Sequence, residues 1–138
     1  MKRMHIHVGV RDLEHSIRFY TALFSQPPGK QEGDYARWML EDPCLNFAIS
    51  SRTARTGVNH LGLQVDTDEE LAELRGLADA ADARAVLDEG ETTCCYARSD
   101  KHWTVDPQGV AWEHFRTLED AVEFGRPAPT AVACCGGS

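Results

Sequence analysis

The chain repeats itself, and the repeat limits what it can fold into. His5-Ile6-His7-Val8-Gly9-Val10 and His60-Leu61-Gly62-Leu63-Gln64-Val65 share one pattern: His, apolar, any, apolar, any, Val. Each alternates like a half-buried strand and runs into an amphipathic helical stretch. In the first, Asp12–Phe24, the residues Leu13, Ile17, Tyr20 and Phe24 share a face and Asp12 is placed to cap. The second runs from Asp68 to about Asp82, capped by Thr67 or Asp68, with Leu71, Leu74 and Leu77 as its stripe. Strands are expected at Tyr35–Leu40 and Leu45–Ser50 around the turn Glu41-Asp42-Pro43. Others are expected at Arg84–Leu87, Cys95–Val105 and Ala111–Thr117, with Asp106-Pro107-Gln108-Gly109 as a hairpin turn. The order is a strand, a helix and then strands, twice, which predicts an α+β protein of two tandem modules. Module one spans about 3–52 and module two about 57–117, joined through Ser51–Gly57. At 138 residues the chain is long enough for one domain, placed at 1–126. Residues 127–138 are rich in Pro, Gly and small side chains and read as a flexible, Cys-containing tail.

Composition removes several classes of function. Fourteen Lys and Arg against 22 Asp and Glu give a net charge of −8, and no basic stripe offsets it, so no nucleic-acid surface is expected. No apolar run approaches the roughly 18 residues of a membrane span. The start, MKRMHIHVGV, has positive charge but no long apolar core, so it does not read as a signal peptide. A cytoplasmic protein with reduced thiols follows as the expectation. Its five cysteines fall as Cys44 alone and two adjacent pairs, Cys94-Cys95 and Cys134-Cys135. An odd number with two adjacent pairs is no disulfide framework. Adjacent cysteines also make a strained disulfide, whereas two neighbouring thiolates are well suited to holding one soft atom.

The duplication also selects candidate ligands. It puts His5, rather than His7, at the same strand position as His60. It sets Trp112-Glu113-His114-Phe115 against Leu45-Asn46-Phe47-Ala48 at the last strand of each half. His5, His60 and Glu113 are therefore expected to converge in one cavity. Two imidazoles and one carboxylate on one face of a metal leave the remaining positions open, a set suited to non-haem Fe(II) and O2, and one that Zn, Ni, Mn or Co can also occupy. His7 shares the face of His5 by strand alternation and is a candidate pocket residue. His15 reads as solvated, and His102 and His114 have no assigned role.

The stretches HIHVGVRDLEHSIRFYTALF, VNHLGLQV and DPQGVAWE resemble the vicinal oxygen chelate superfamily of glyoxalases, extradiol dioxygenases and bleomycin resistance proteins, over about residues 3–120. That resemblance implies two βαβββ modules forming a cupped mixed sheet around a metal site. More narrowly, YARWMLEDPCLNFAIS and EGETTCCYARSDKHWTVDPQGVAWEHF resemble the organoarsenical carbon–arsenic lyases and cadmium-induced proteins. This implies His5, His60 and Glu113 as the catalytic metal ligands, Fe(II) as cofactor, and Cys94 and Cys95 as the thiols that bind a trivalent organoarsenical such as methylarsenite. Some members carry Gln where His5 stands. O2 is the implied co-substrate and inorganic arsenite the product, from a monomer or homodimer. Tyr96, Lys101 and Trp103 are further candidate pocket residues. Glyoxalase I activity would need a fourth ligand, a Glu on the last strand of module one, where Asn46 is read as the match. A fosfomycin-type thiol transferase would need a basic cluster that is absent. The alternative of another class is a protein that sequesters cadmium or arsenite on thiols without catalysis, for which the His and Glu set would be redundant.

Overall fold

The computed structural model describes residues 1–81, 87–94 and 97–120, with the backbone alone for 87–94, 97–99 and 119–120. In chain order the elements are β1 (Arg3–Gly9), α1 (Leu13–Phe24), β2 (Lys30–Glu32), β3 (Tyr35–Leu40), β4 (Leu45–Ser50), β5 (Gly57–Gln64), α2 (Asp68–Ala80), β6 (Leu87–Cys94), β7 (Ala97–Val105) and β8 (Ala111–Asp120). The βαβββ unit is thus present twice. The strands form one mixed sheet in the order β2-β3-β4-β1-β5-β8-β7-β6. The first strands of the two modules lie antiparallel at its centre, while β1 runs parallel to β4 and β5 parallel to β8.

Both helices lie on one face, where local chemistry starts and stops them as expected. The Asp12 carboxylate accepts from the His15 N–H at 3.1 Å, satisfying an orphan donor of the first turn of α1. Ser25, in the left-handed region at φ 56°, closes that helix with its N–H on the Ala22 and Thr21 carbonyls. Leu13, Ile17, Tyr20 and Phe24 pack on a buried cluster of Ala36, Trp38, Leu40, Phe47 and Ile49. Trp38 buries its indole completely and donates to the Gln26 carbonyl at 3.0 Å, so its one polar atom is satisfied.

Thr67 caps α2 by accepting from the Glu70 N–H at 3.1 Å, and the Glu70 carboxylate accepts from the Asp66 N–H at 3.1 Å. The expected stripe needs one correction. Leu71 and Leu74 are buried, but Leu77 is 56% exposed and Ala78 is buried in its place. Positions i, i+3 and i+7 stay on one helical face, whereas i+6 rotates off it. A cavity of about 660 Å³ lies beside this part of α2, lined by Leu63, Leu74, Leu77, Trp112 and His114 among others.

The strand bounds differ from expectation in module two. Strand β6 occupies Leu87–Cys94 and β8 continues to Asp120, while Arg84, Ala85 and Val86 of the strand expected at Arg84–Leu87 lie outside the described residues. The acidic run Asp88-Glu89-Gly90-Glu91 carries no apolar alternation. Strand β6 lies at the edge of the sheet, where among the described residues it pairs with β7 through the backbone. The three-residue edge strand β2 was likewise unmarked in sequence. The turn after β7 forms as read: the Asp106 N–H donates to Val110 O at 2.9 Å, with Gly109 at φ 88°. No helix among the described residues is long and apolar enough to cross a membrane.

Candidate metal centre

Register brings the polar residues of the open face, opposite the helices, into one row. Asn46 pairs with His5, His5 with Gly62, Gly62 with Glu113, and Glu113 with Trp103, so β4, β1, β5, β8 and β7 each place a residue in line. His60 pairs with His7, one step along the same face. Because β1 and β5 are antiparallel, His5 and His60 sit diagonally rather than opposite, and their rings meet across the glycine between them.

The three expected ligands converge. His5 Nε2 lies 3.1 Å from His60 Nε2, and Glu113 Oε1 lies 3.5 Å from the first and 3.6 Å from the second. All three residues are buried and come from one chain. Their partners decide which atoms are available. His5 Nδ1 faces the Asn46 backbone carbonyl at 3.2 Å, which can only accept, so Nδ1 carries the hydrogen. His60 Nδ1 donates to Asn59 Oδ1 at 2.8 Å. Both Nε2 atoms therefore present lone pairs to each other and to a carboxylate oxygen, with no proton to bridge them. Three acceptors at this spacing repel unless a cation lies among them. The donor set, two outer hydrogen bonds that fix the imidazole tautomers, and burial all fit a divalent metal.

The walls are apolar. Phe115 presents its ring edge-on to His5 at 5.1 Å between centroids, and Trp103 does so to His60 at 5.2 Å. Burial pushes His5 down to about 4, with the neighbouring His60 adding to it. Burial works to raise Glu113, but Lys101, His60 and His5 together hold its carboxyl well below the usual range. His7, completely buried, lies 4.9 Å from His60 between ring centroids, faces Asn59 Oδ1 at 3.4 Å, and is lowered well below its ordinary value, chiefly by burial. It is a neutral group beside the ligands.

His102 and His114 lie with ring centroids 4.9 Å apart and planes tilted by 32° on the helix-bearing face, away from the triad. His114 bonds Thr104 Oγ1 at 3.2 Å and is lowered to about 4, chiefly by burial and then by His102. These depressed histidines set an acid limit on the metal-free protein. The unfolded chain protonates near 6.5, whereas the folded protein binds the same protons only near 4, so stability falls as pH drops from 6.5 to 4 and levels below. His5 and His114 are each expected to remove roughly 3 kcal/mol over that window, at about 1.36 kcal/mol per pH unit. Urea unfolding of metal-free protein at pH 7 and pH 4.5 measures the loss, and His114→Phe should reduce it.

Lys101 and Trp103, read as pocket residues, are both buried at the centre, and the Lys101 ammonium lies 2.7 Å from Glu113 Oε2. Cys94 ends β6, paired with Ala97 of β7. Cys95, Tyr96, Cys134 and Cys135 lie outside the described residues. Along β7, Ala97 precedes Trp103 by six positions, about 20 Å of extended strand, so register alone does not bring the Cys94 end of the hairpin to the triad.

One sequence equivalence is corrected. Ile6 pairs with Phe47 as its counterpart Leu61 pairs with Trp112, so the module-one match of Glu113 is Ala48 and not Asn46. A two-residue shift preserves strand alternation, which is why sequence pattern could not detect it. The conclusion drawn from Asn46 is unchanged, since Ala48 offers no ligand. Two contributors were missed. Asn59 orients His60 through its side chain. Gly62 allows the close approach of β5 and β8, since a Cβ there would run into the backbone oxygen of Glu113. A glycine inside a strand pattern was the available signal.

Two βαβββ units in one mixed sheet, with a His-His-Glu set on its open face, define a protein of vicinal oxygen chelate fold. The chain resembles an Mn(II)-bound glyoxalase from Novosphingobium aromaticivorans with a TM-score of 0.62 at 15% identity, covering 94% of this chain and 44% of that one. No family model matches the sequence. It is 40% identical over 137 residues to a trivalent organoarsenical cleaving enzyme of Bacillus sp. (strain MD1), covering 98% of this chain and 83% of the relative. It is 36% identical over 148 residues to the cadmium-induced protein CadI of Mycobacterium bovis, covering 99% and 95%. The chain belongs to the family of trivalent organoarsenical cleaving enzymes and CadI.

Proposed function

We propose that this protein is a cytoplasmic carbon–arsenic lyase that acts on trivalent organoarsenicals such as methylarsenite and aromatic arsenicals, with His5, His60 and Glu113 holding Fe(II). The observation that carries the reading is the meeting of three unprotonated acceptor atoms within 4.8 Å in a buried site, in a chain whose relatives are named for organoarsenical cleavage. When bound, Fe(II) supplies the centre at which O2 is activated for oxidative cleavage.

The chain's own residues do the rest. Asn46 and Asn59 keep the imidazole Nε2 atoms free of protons, so neither ligand must lose a proton before binding metal. Trp103 and Phe115 exclude water and lower the local dielectric around the charged set. Cys94 and Cys95 provide two thiolates for the two exchangeable positions of a monoorganyl arsenic(III), leaving its As–C bond unblocked. Because Cys94 stands at the far end of the β6–β7 hairpin, cleavage requires the captured arsenical to be brought to the triad, where proximity would supply much of the rate.

Thiol sequestration without catalysis is the rival, and Glu113→Ala separates the two. Methylarsenite retention on the thiols should be unchanged in that variant, while cleavage should fall by more than the ~10–100-fold that loss of an outer hydrogen bond causes. Both are read by size exclusion followed by arsenic detection. Unchanged release of inorganic arsenite from Glu113→Ala would remove the metal centre from the reaction.

A further inference from the structure

Lys101 is a buried cation that a small acidic protein has no need of for solubility. It stands on β7 opposite Phe115, one step along the open face from the Trp103–Glu113 pair, which puts its long side chain diagonally within reach of Glu113. Lys101 is 3% and Glu113 4% exposed, and Nζ lies 2.7 Å from Oε2. The other carboxylate oxygen, Oε1, is the one that faces His5 and His60. The two oxygens of Glu113 are thus committed to different partners.

We infer that Lys101 is a positioning residue that holds Glu113 Oε2 away from the metal, so that Glu113 binds through Oε1 alone. This rests on the metal-centre reading above. A six-coordinate ion held by two imidazoles and one carboxylate oxygen keeps three positions for exchangeable ligands. A carboxylate free to bind through both oxygens would take one of them. An ammonium bonded to one oxygen is a direct means of preventing that, because a charge-assisted bond in a dry site is strong and directional. The Lys101 Nζ also lies over the Trp103 ring, 5.8 Å from its centroid, so the wall of the site adds a cation–π contact to the ammonium. The reach needed is short, and the row of strands fixes both ends.

The consequence is a count of water ligands, which needs no turnover. Mn(II) suits this nitrogen and oxygen set, and broadening of its EPR lines in ¹⁷O-enriched water counts the waters bound to it. Wild-type protein loaded with Mn(II) is expected to show three exchangeable waters. Lys101→Met, with folding checked by circular dichroism, is expected to show two as Glu113 closes onto the metal with both oxygens. Lys101→Arg is expected to restore three. Two waters in the wild type, or the same count in wild type and Lys101→Met, would overturn the inference. If Lys101→Met does not fold, Lys101→Ala carries the same comparison, with two waters expected and three overturning the inference. His60→Ala separates this from failure of the site itself. An Mn(II) spectrum and affinity indifferent to that change would place the metal elsewhere and remove the basis for both.

Discussion

Gly62→Ala is expected to abolish metal binding while leaving the fold recognisable. Gly62 stands in the row between His5 and Glu113, and a Cβ built there meets the Glu113 backbone oxygen well inside contact and the Glu113 Cβ at 3.3 Å. Backbone cannot yield as a flexible side-chain end can. Either β5 and β8 move apart or Glu113 rotates, and each breaks the spacing of the three ligand atoms. Overpacking at such a site costs about 1–3 kcal/mol of stability. The effect on the metal should be larger, because two of the three ligands, His60 and Glu113, sit on the two strands that meet here. Affinity for Mn(II), measured by equilibrium dialysis, should fall by more than the ~10–100-fold typical of an outer-sphere change. Wild-type affinity in a folded Gly62→Ala protein would mean that the ligands are not held by this strand pair.

Cys94→Ser/Cys95→Ser should separate substrate capture from the metal. Serine keeps the shape but replaces a soft thiolate by a hard, protonated hydroxyl, which trivalent arsenic binds poorly. The variant is expected to bind Mn(II) as the wild type does, since His5, His60 and Glu113 supply the nitrogen and oxygen donors that suit this ion. Cleavage of methylarsenite should fall by at least ~100-fold, the scale at which misplacing a substrate by an ångström acts. Retained cleavage would assign substrate binding to other groups. Loss of both activities together would mean that the hairpin supports the centre structurally.

Much of this was legible in the sequence, and the exceptions have physical causes. The repeat of alternating strands and capped helices specified both modules, because burial on one face enforces periodicity in β1, α1, β3, β4 and β5. It located His5, His60 and Glu113 because duplicated strands carry duplicated positions. It did not mark β6, whose acidic run Asp88-Glu89-Gly90-Glu91 carries no apolar alternation. It misjudged the register of β4 against β8 by two residues, a shift that changes no inward or outward assignment. Asn59, Gly62 and the pairing of Lys101 with Glu113 are properties of contact between strands distant in sequence. A residue that acts by its absence of a side chain, or through one oxygen of a neighbour, leaves little local pattern to read.

The measurement that tests the central claim most directly is arsenic speciation after reaction. Protein prepared without O2 and loaded with Fe(II) is mixed with methylarsenite, then divided between anaerobic and aerated vessels, and the arsenic species are separated by chromatography with mass detection. Inorganic arsenite is expected only in the sample with both Fe(II) and O2. Methylarsenite recovered intact from every sample, although bound by the protein, would contradict a cleaving centre at His5, His60 and Glu113.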